Sequence, residues 1–466
     1  MGDGILKTNA AVSPAGVSTM IGNCARPAGL LSMGLALFTL PAMAHAQGSA
    51  VEINTGNTAW LLASAALVML MTPGLALFYG GMVRTKNVLS TIMHSFVAIA
   101  VISIIWAIYG YSLAFGPDHG HLIGSLDWLG LKGVGLTPGE YGKATGVPEQ
   151  SYMIYQMMFA IITPALFSGA IAERIKFSSY VVLMALWSTF VYCPLAHWVW
   201  GHGGWLSNLG ALDYAGGTVV HISSGVSALV LAIMLGKRRM DERELMRPHN
   251  LTMTMIGTAL LWFGWFGFNA GSAVAADGHA ANAFVVTHLA AATAALVWLL
   301  LDYRFYGKPT ALGAATGAVA GLVAITPASG FVGPLAAMAI GLGVACISFY
   351  AVTLKNRFGY DDTLDVFGVH GIGGMWGALA TGLFAQHLIT SDTYGVGLFF
   401  GNPRQLLIQA ISVLAAALYA GVMTFILAKI LDKVMGLRVH PELESLGLDQ
   451  SQHGESGYEM FEATIQ

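Results

Sequence analysis

Two histidines, His221 and His370, are the residues of this sequence whose type and setting best suit chemistry. Each lies in an apolar stretch, a few residues after an aspartate and one or more glycines. An imidazole can donate or accept a hydrogen bond at each ring nitrogen, so a pair could guide a small polar molecule or pass on its proton. A single histidine in a membrane span is as often bonded to a neighbouring helix, but two at matching places favour a functional site.

The two histidines belong to similar segments that run in opposite directions. Asp213 to His221 opens a predicted fifth span, and Asp365 to Gly374 opens a predicted tenth, five spans further along the chain, so the two segments run in opposite directions. This pattern predicts an inverted repeat whose site lies near the membrane midplane. At 1.5 Å per residue, His221 lies about 12 Å inward from Asp213, and His370 lies about 7 Å inward from Asp365 on the opposite side. In a core of about 30 Å these two levels differ by roughly 10 Å, which helix tilt and side-chain reach can close, so the two rings can meet. We expect Asp213 and Asp365 to be mainly structural, because a carboxylate at a helix start caps free amides.

The composition requires that most of the chain lie in lipid. It is 56 % hydrophobic and 10 % charged, whereas soluble domains average about 25 % charged residues. The net charge of -3 indicates no nucleic-acid partner. The sequence predicts an all-α integral membrane protein with a five-plus-five inverted repeat around a central pore. Its eleven transmembrane helices are predicted at 58–80, 88–115, 151–172, 178–200, 214–235, 250–270, 282–303, 310–328, 333–354, 366–388 and 404–430.

The positive charges orient these spans. Sixteen of the 21 Lys and Arg residues fall in segments on one predicted side, and three fall on the other. Cytoplasmic segments carry such an excess. We therefore predict an inner-membrane protein whose mature amino terminus lies outside and whose carboxyl terminus is cytoplasmic.

The amino-terminal segment resembles a signal peptide. Gly29 to Leu40 is a short apolar run after Arg26, and the small-x-small pattern at residues 44–46 precedes a cleavage point. We expect cleavage after Ala46, and the long leading stretch leaves open whether Met1 or Met20 is the true start. The predicted domains are a signal peptide at 1–46, a transmembrane domain at 47–435 and a cytoplasmic tail at 436–466.

Aromatic side chains recur along the predicted path. Trp200 ends the fourth span, Phe159 lies in the third, and Phe268 and Ser272 lie at the end of the sixth. A single aromatic at this level is usually an interface anchor. Several rings beside a hydroxyl suit a small cation, because ring faces attract it and the hydroxyl accepts its hydrogen bond.

Several motifs together resemble the ammonium transporter (Amt/Mep/Rh) family, and its bacterial Amt-type members in particular. The resemblance covers about residues 58 to 458, with matching order and spacing. The motifs that carry it are Pro73 to Gly81, Ala172 to Phe177, Asp213 to His221, Gly264 to Ser272, Asp365 to Gly374, and the tail segments Gly436 to Val439, Gly447 to Asp449 and His453 to Glu455.

The resemblance implies a homotrimer with one pore per subunit, and a tail that packs beneath the subunits and meets a PII-type signalling protein. Composition alone would favour a disordered, solubilising tail. Tyr155 stands where bacterial members often have Phe, so it keeps the ring and adds a hydroxyl. The implied roles are ammonium recruitment by Trp200, Ser272 and Tyr155, a stacked gate of Phe159 and Phe268, a pore of His221, His370 and Trp265, and support by Asp213.

The sequence thus predicts an ammonium transporter, without cofactor or metal, that binds ammonium outside and conducts ammonia inward. An unpaired ion in an apolar pore costs tens of kcal/mol in idealised terms, so we expect the proton to leave near the gate. Whether that proton also crosses stays open. An ammonium sensor and an Rh-like gas channel are the alternatives, and a haem enzyme with paired histidines is a more distant one. We see no nucleophile–base set in the spans, and we expect no enzymatic activity.

Overall fold

The computed structural model describes residues 51–239, 247–387, 389 and 395–458. The predicted signal peptide, its cleavage after Ala46 and the tail beyond Tyr458 lie outside the described residues. The α-helices in chain order are α1 (Thr55–Met82), α2 (Val88–Ile105), α3 (Tyr111–Phe115), α4 (Glu149–Ile171), α5 (Phe177–Trp187), α6 (Cys193–Trp200), α7 (Trp205–Leu209), α8 (Ser223–Leu235), α9 (Leu251–Ala270), α10 (Gly278–Tyr306), α11 (Ala311–Ile325), α12 (Pro334–Phe358), α13 (Ile372–Phe384), α14 (Pro403–Val434) and α15 (Pro441–Leu446).

Short irregular elements interrupt or join these helices. Single π-helical turns lie at Trp106–Gly110, Ser188–Tyr192, Gly217–Ile222, Phe367–Gly371 and Asp449–His453. Turns of 3₁₀ helix lie at Thr85–Asn87, Leu129–Leu131, Gly271–Ala273 and Leu398–Phe400. One small antiparallel hairpin pairs β1 (Asp118–His119) with β2 (Ile123–Gly124), with Asp118 opposite Gly124.

Apolar helices long enough to cross a membrane dominate the described part of the chain, which holds nine of them. A tenth segment, α11, is apolar but shorter. An eleventh, the π-helical turn Phe367–Gly371 continued by α13, carries His370. These eleven segments overlap the eleven predicted spans in order. The prediction of an all-α, multi-pass membrane fold is confirmed. Of the eleven segments, α11 and the segment that contains α13 are not among the nine described helices that are long and apolar enough to cross a membrane.

Glycines allow the close packing that such a bundle needs, as the contact of α1 with α9 illustrates. A Cβ on Gly257 would lie 2.3 Å from the amide nitrogen of Phe78, and one on Gly81 would lie 2.4 Å from the carbonyl oxygen of Asn250. Small residues let helix backbones approach where lipid supplies no hydrophobic drive. The contact sets the position of α9, which carries Trp265 and Phe268.

The carboxyl-terminal tail is folded against one end of the bundle. Its main chain bonds to the loop between α4 and α5, where Lys176 donates to Leu437 (2.8 Å) and Val439 donates to Arg174 (3.1 Å). The amide of Leu448 donates to the Asn87 side chain at 2.8 Å. Residues 436–458 therefore form a docked segment rather than the loose tail that composition alone would favour. We call this end of the bundle the tail end and the opposite one, at Trp200, the Trp200 end.

Replacing Asp449 with alanine should release the tail locally. The Asp449 carboxylate accepts from the amides of Leu89 (3.0 Å) and Ser90 (2.8 Å) in the first turn of α2. Loss of such a cap costs about 1–2 kcal/mol, so amide hydrogen exchange at residues 447–458 should accelerate about 5- to 30-fold. Gln450→Ala, which changes an exposed neighbour, is the control. Equal exchange in the two variants would contradict the capping role.

Candidate functional site

The two predicted histidines meet inside the bundle. The Nδ1 atoms of His221 and His370 lie 3.2 Å apart, and the ring planes are inclined by 30° with centroids 5.3 Å apart. Both residues are buried, with 1 % and 3 % of their surface exposed. One Nδ1 donates to the other, so each ring keeps its Nε2 for another partner. The Nε2 of His221 is buried and has no hydrogen-bond partner among the described residues.

Local backbone structure brings the two rings together. His221 lies in the π-helical turn Gly217–Ile222 that leads into α8, and His370 lies in the corresponding turn before α13. The two segments cross at Gly225, where a Cβ would lie only 2.2 Å from the amide nitrogen of Gly371. Such turns occur often at functional sites. The inverted repeat thus ends in a backbone crossing that only glycine permits.

Asp213 organises the start of the first histidine segment. Its carboxylate accepts from the amides of Gly216 (2.9 Å), Gly217 (2.6 Å), Thr218 (2.8 Å) and Val219 (3.3 Å), and from the Thr218 hydroxyl. These amides are the unpaired donors of a helix start. The geometry is that of a buried cap, which is the structural support that the sequence predicts for this residue.

The second segment corrects the prediction that Asp365 caps its helix. The cap is Asp362, whose Oδ2 accepts from the amide of Phe367 at 2.7 Å. Asp365 adopts a left-handed backbone conformation (φ 60°) and pairs with Lys355. The chain turns at Asp365 before the helix begins. The loop therefore places the carboxylate of Asp362, which lies three residues earlier in the sequence, at the free amides of the helix start. Asp365 therefore supports the segment through an ion pair rather than through a cap.

Asp362 should make stability depend on pH. Burial first, and the charge of Asp365 second, raise the pKa of Asp362 to about 6 from an ordinary 3.8. The folded state then binds this proton more tightly than the unfolded state, so stability falls as pH rises from about 4 to about 6, by about 2–3 kcal/mol. Asp362→Asn keeps an oxygen for the Phe367 amide and removes the titration. Its unfolding midpoint in detergent should lack that fall, and a parallel fall would contradict the assignment.

A narrow, mostly apolar cavity surrounds the histidine pair. It is lined by Met71, Leu75, Phe78, Ile162, Leu166, Val220, His221, Leu261, Trp265, Phe268, Val319 and His370. The indole of Trp265 stacks on His221 with centroids 5.5 Å apart, and its N–H donates to Thr326 Oγ1 at 2.9 Å, which fixes the ring. The imidazoles are therefore the polar groups this cavity offers to a molecule inside it.

Two phenylalanines close the cavity toward the Trp200 end. The rings of Phe159 and Phe268 stack with centroids 4.1 Å apart at an inclination of 24°. Rings in van der Waals contact leave no room for a molecule between them. Phe268 lines the cavity of the histidines, whereas Phe159 lines the next cavity outward. The pair separates the two spaces.

The outer cavity holds Trp200 and Ser272, together with the Asp213 cap. The Trp200 N–H donates to the carbonyl oxygen of Asp213 at 2.8 Å, and the Ser272 hydroxyl donates to that of Phe268 at 2.9 Å. The walls include residues that sequence reasoning missed, among them Tyr152, Gln156, His202, Asp277 and His279. Asp277, which caps α10, has a recognisable sequence signal, because a helix-capping aspartate precedes an apolar run.

Tyr155 lies beside Ser272 and Phe159, next to the residues that line the outer cavity. It is fully buried, and its hydroxyl donates toward the carbonyl oxygens of Gly267 (3.0 Å) and Phe268 (2.8 Å) while lying 3.1 Å from Ser272 Oγ. The outer cavity is lined from α4 by other residues of the same face. Tyr155 contacts the cavity only through Ser272 and through the Phe159 ring, which lies 5.0 Å away. The added hydroxyl braces α9 rather than facing the cavity.

A third cavity continues toward the tail end. It shares Phe78, Val319 and His370 with the histidine cavity, and Asp365 is among its other lining residues. The three spaces lie in series, with the Phe pair between the first two. Among the described residues no group of three or more His, Cys, Asp or Glu side chains is placed to hold a metal ion.

Comparisons with known proteins agree with this arrangement. Residues 59–458 match the model of the Ammonium Transporter Family. The chain is 52 % identical over 405 residues to an ammonium transporter of Bacillus subtilis, covering 87 % of this chain and 98 % of that one. It is 49 % identical over 435 residues to an ammonium transporter of Mycobacterium bovis, covering 88 % and 91 %. The crystal structure of Saccharomyces cerevisiae Mep2 superposes with a TM-score of 0.78 at 37 % identity, covering 84 % of this chain and 91 % of that one.

Proposed function

Because the chain belongs to the ammonium transporter family, we propose that it binds ammonium at the Trp200 end, removes a proton at the Phe gate and conducts ammonia past the twin histidines. Membership of the family supports transport of ammonium by a multi-pass membrane protein. The route through the protein and the chemistry along that route are what we propose. The alternatives are an ammonium sensor and a neutral gas channel, and they differ in what crosses.

One observation carries the proposal: the Nε2 of His221 is buried in an otherwise apolar cavity and has no hydrogen-bond partner in the part of the chain that the structure describes. An isolated ion in such a space costs tens of kcal/mol in idealised terms, and groups there neutralise instead. Ammonia needs only a hydrogen-bond partner, which an imidazole nitrogen supplies. The histidine pair thus favours the neutral molecule, and its Nδ1–Nδ1 contact offers a path for a proton from one half of the repeat to the other. Whether that path is used decides whether transport carries charge.

The Phe pair acts as the gate in this proposal. Its stacked rings exclude water from the histidine cavity, so ammonium loses its hydration shell at the rings. Its proton passes there to the Nε2 of His221, and ammonia enters the cavity. One ring must swing aside for each passage. The hydrated ion stays in the outer cavity, where polar groups face it.

The recruitment site combines the Trp200 ring, the Ser272 hydroxyl and the Phe159 ring. Trp200 and Phe159 meet nearly perpendicularly, at 87° with centroids 6.0 Å apart, and both rings line the outer cavity. Ring faces attract a cation, and Ser272 accepts a hydrogen bond from it. We keep Tyr155 as a brace of Ser272.

The same proposal includes the cellular setting. The Trp200 end faces outward across the inner membrane, and the tail end faces the cytoplasm. The docked tail presents a folded surface to a PII-type signalling protein. Exposed apolar side chains such as Leu335 (80 % exposed) and Leu418 (66 %) face lipid or the other subunits of a homotrimer.

Proteoliposomes containing the purified protein test the function. Ammonium should evoke a current that potassium does not evoke if the proton crosses, whereas uptake without current would indicate a neutral gas channel. Trp200→Ala should raise the apparent KM about tenfold, because a cation–π contact is worth about 1–2 kcal/mol. Leu335→Ala, at the exposed surface, should leave KM unchanged. Absence of any ammonium flux would leave the sensor as the better explanation.

A further inference from the structure

The small hairpin of β1 and β2 lies against the segment that carries Trp200. Four hydrogen bonds join them, two before Trp200 and two after it: His197 Nε2 with Asp118 Oδ1 (2.9 Å), Trp198 Nε1 to the Leu122 carbonyl (2.8 Å), His121 Nδ1 with the Gly203 carbonyl (2.7 Å), and the Trp205 amide to the His121 carbonyl (3.2 Å). Gly203 has a positive φ of 92°, and a Cβ there would lie 2.7 Å from Asp118 Cβ. The hairpin therefore clasps the segment on both sides of Trp200.

The centre of this clasp is a buried imidazole with two acceptors. His197 is fully buried; its Nδ1 lies 3.0 Å from the carbonyl oxygen of Ala114 and its Nε2 lies 2.9 Å from the Asp118 carboxylate. A neutral imidazole has a single N–H, and neither a carbonyl oxygen nor an ionised carboxylate can donate. A neutral imidazole beside an ionised carboxylate has one N–H for two acceptors. Both contacts are therefore satisfied only when Asp118 and His197 together hold one additional proton.

The carboxylate is the ionised partner. The hydrogen bond from His197 holds the pKa of Asp118 below its ordinary value, against the opposing effect of burial. Of the groups that face the pair, His121 contributes its Nδ1 at 3.2 Å from Asp118 Oδ2 and its amide at 2.9 Å from Oδ1. His202 and Glu140 pair with each other nearby at 3.0 Å and are solvent-exposed.

Tyr141 is the next titratable side chain in this region. It stacks on His202 with centroids 4.3 Å apart, and its hydroxyl donates to the carbonyl of Phe115, next to Ala114. Burial raises the pKa of Tyr141 well above its ordinary value, so this neighbour stays neutral. The groups surrounding the pair thus leave its proton to be shared by Asp118 and His197.

We propose that Asp118 and His197 are positioning residues for the cation site, a protonated clasp that holds Trp200 one helical turn beyond His197. Without that proton, two acceptors would face each other at 2.9 Å and the contact would be lost. Trp200 then loses its fixed position, and ammonium binds more weakly while the gate and the histidine cavity stay intact. This inference rests on the proposed recruitment role of Trp200.

The test is methylammonium uptake by proteoliposomes, with KM and maximal rate measured from neutral to alkaline pH. His197→Ala should raise KM about fivefold with an unchanged maximal rate, because one buried contact is lost. Asp118→Asn should keep the wild-type KM at neutral pH, because its amide N–H can donate to the free Nε2 of a neutral His197. It should also lack the alkaline rise in KM that the wild type shows. Ratios to Glu140→Gln at each pH remove the titration of the substrate itself.

The outcomes separate this inference from the proposed function. If Trp200→Ala raises KM while both clasp variants match Glu140→Gln at every pH, the positioning role is wrong and the recruitment site stands. If Trp200→Ala also leaves KM unchanged, the recruitment site fails, and this inference with it. Should His197→Ala fail to fold, the pH profile of Asp118→Asn decides, and an alkaline rise parallel to that of the wild type overturns the proposal.

Discussion

Replacing His370 with phenylalanine is expected to lower the ammonium-evoked current about a hundredfold or more, since a positioned proton-transfer group contributes roughly that factor. The substitution leaves a cavity that is apolar throughout on that side and removes the Nδ1 partner that lies 3.2 Å from His221. His221 can still hold ammonia by a hydrogen bond, but no group on the His370 side of the cavity can then carry a proton onward. The same loss is expected for His221→Phe, because the two rings act as a unit.

A matched control lies in the same bundle. His288 is also on a predicted span, but its side chain is exposed on α10 beside Trp262 and lies outside the cavity. His288→Phe should retain the wild-type current. Uptake of labelled methylammonium should be measured alongside, because a variant that passes ammonia without current would show uptake and no charge movement. Undiminished current in both pore variants would defeat the proton-relay role.

Replacing Asp213 with alanine is expected to cost at least about 3 kcal/mol of stability and to abolish transport. The carboxylate is buried and satisfies four amides and one hydroxyl at the start of the His221 segment. Alanine leaves these donors without their carboxylate partner at a residue that is only 5 % exposed. The turn that carries His221 would open, and the Trp200 indole would lose the support of the Asp213 carbonyl.

Asp277→Ala provides the comparison for stability. Asp277 also caps a helix, accepting from the amides of His279 (2.9 Å) and Ala280 (3.0 Å), but it is exposed. Water can replace it, so the expected cost is about 1 kcal/mol. Thermal unfolding of the two variants in detergent measures the difference. Equal midpoints would show that burial of the Asp213 cap adds nothing.

The tail illustrates how local composition can mislead. Its polar run after Gly436 has the composition of a disordered segment, yet residues 436–458 dock at the tail end through main-chain hydrogen bonds and the Asp449 cap. Those partners lie more than 250 residues away in the chain. A docking surface formed by distant helices leaves no periodic signal in the segment that binds it.

The sequence by itself determined the membrane fold, the order of the helical segments and the two histidines, because long apolar runs and ionisable residues within them are local signals read along one helix. The tertiary structure alone decided which carboxylate caps the second histidine segment, where the Tyr155 hydroxyl turns and how the β1–β2 hairpin clasps the Trp200 segment. Each of these depends on side chains that meet from distant parts of the chain. A helix period predicts which face is buried, but the partner on that face is set by the packing of the whole bundle.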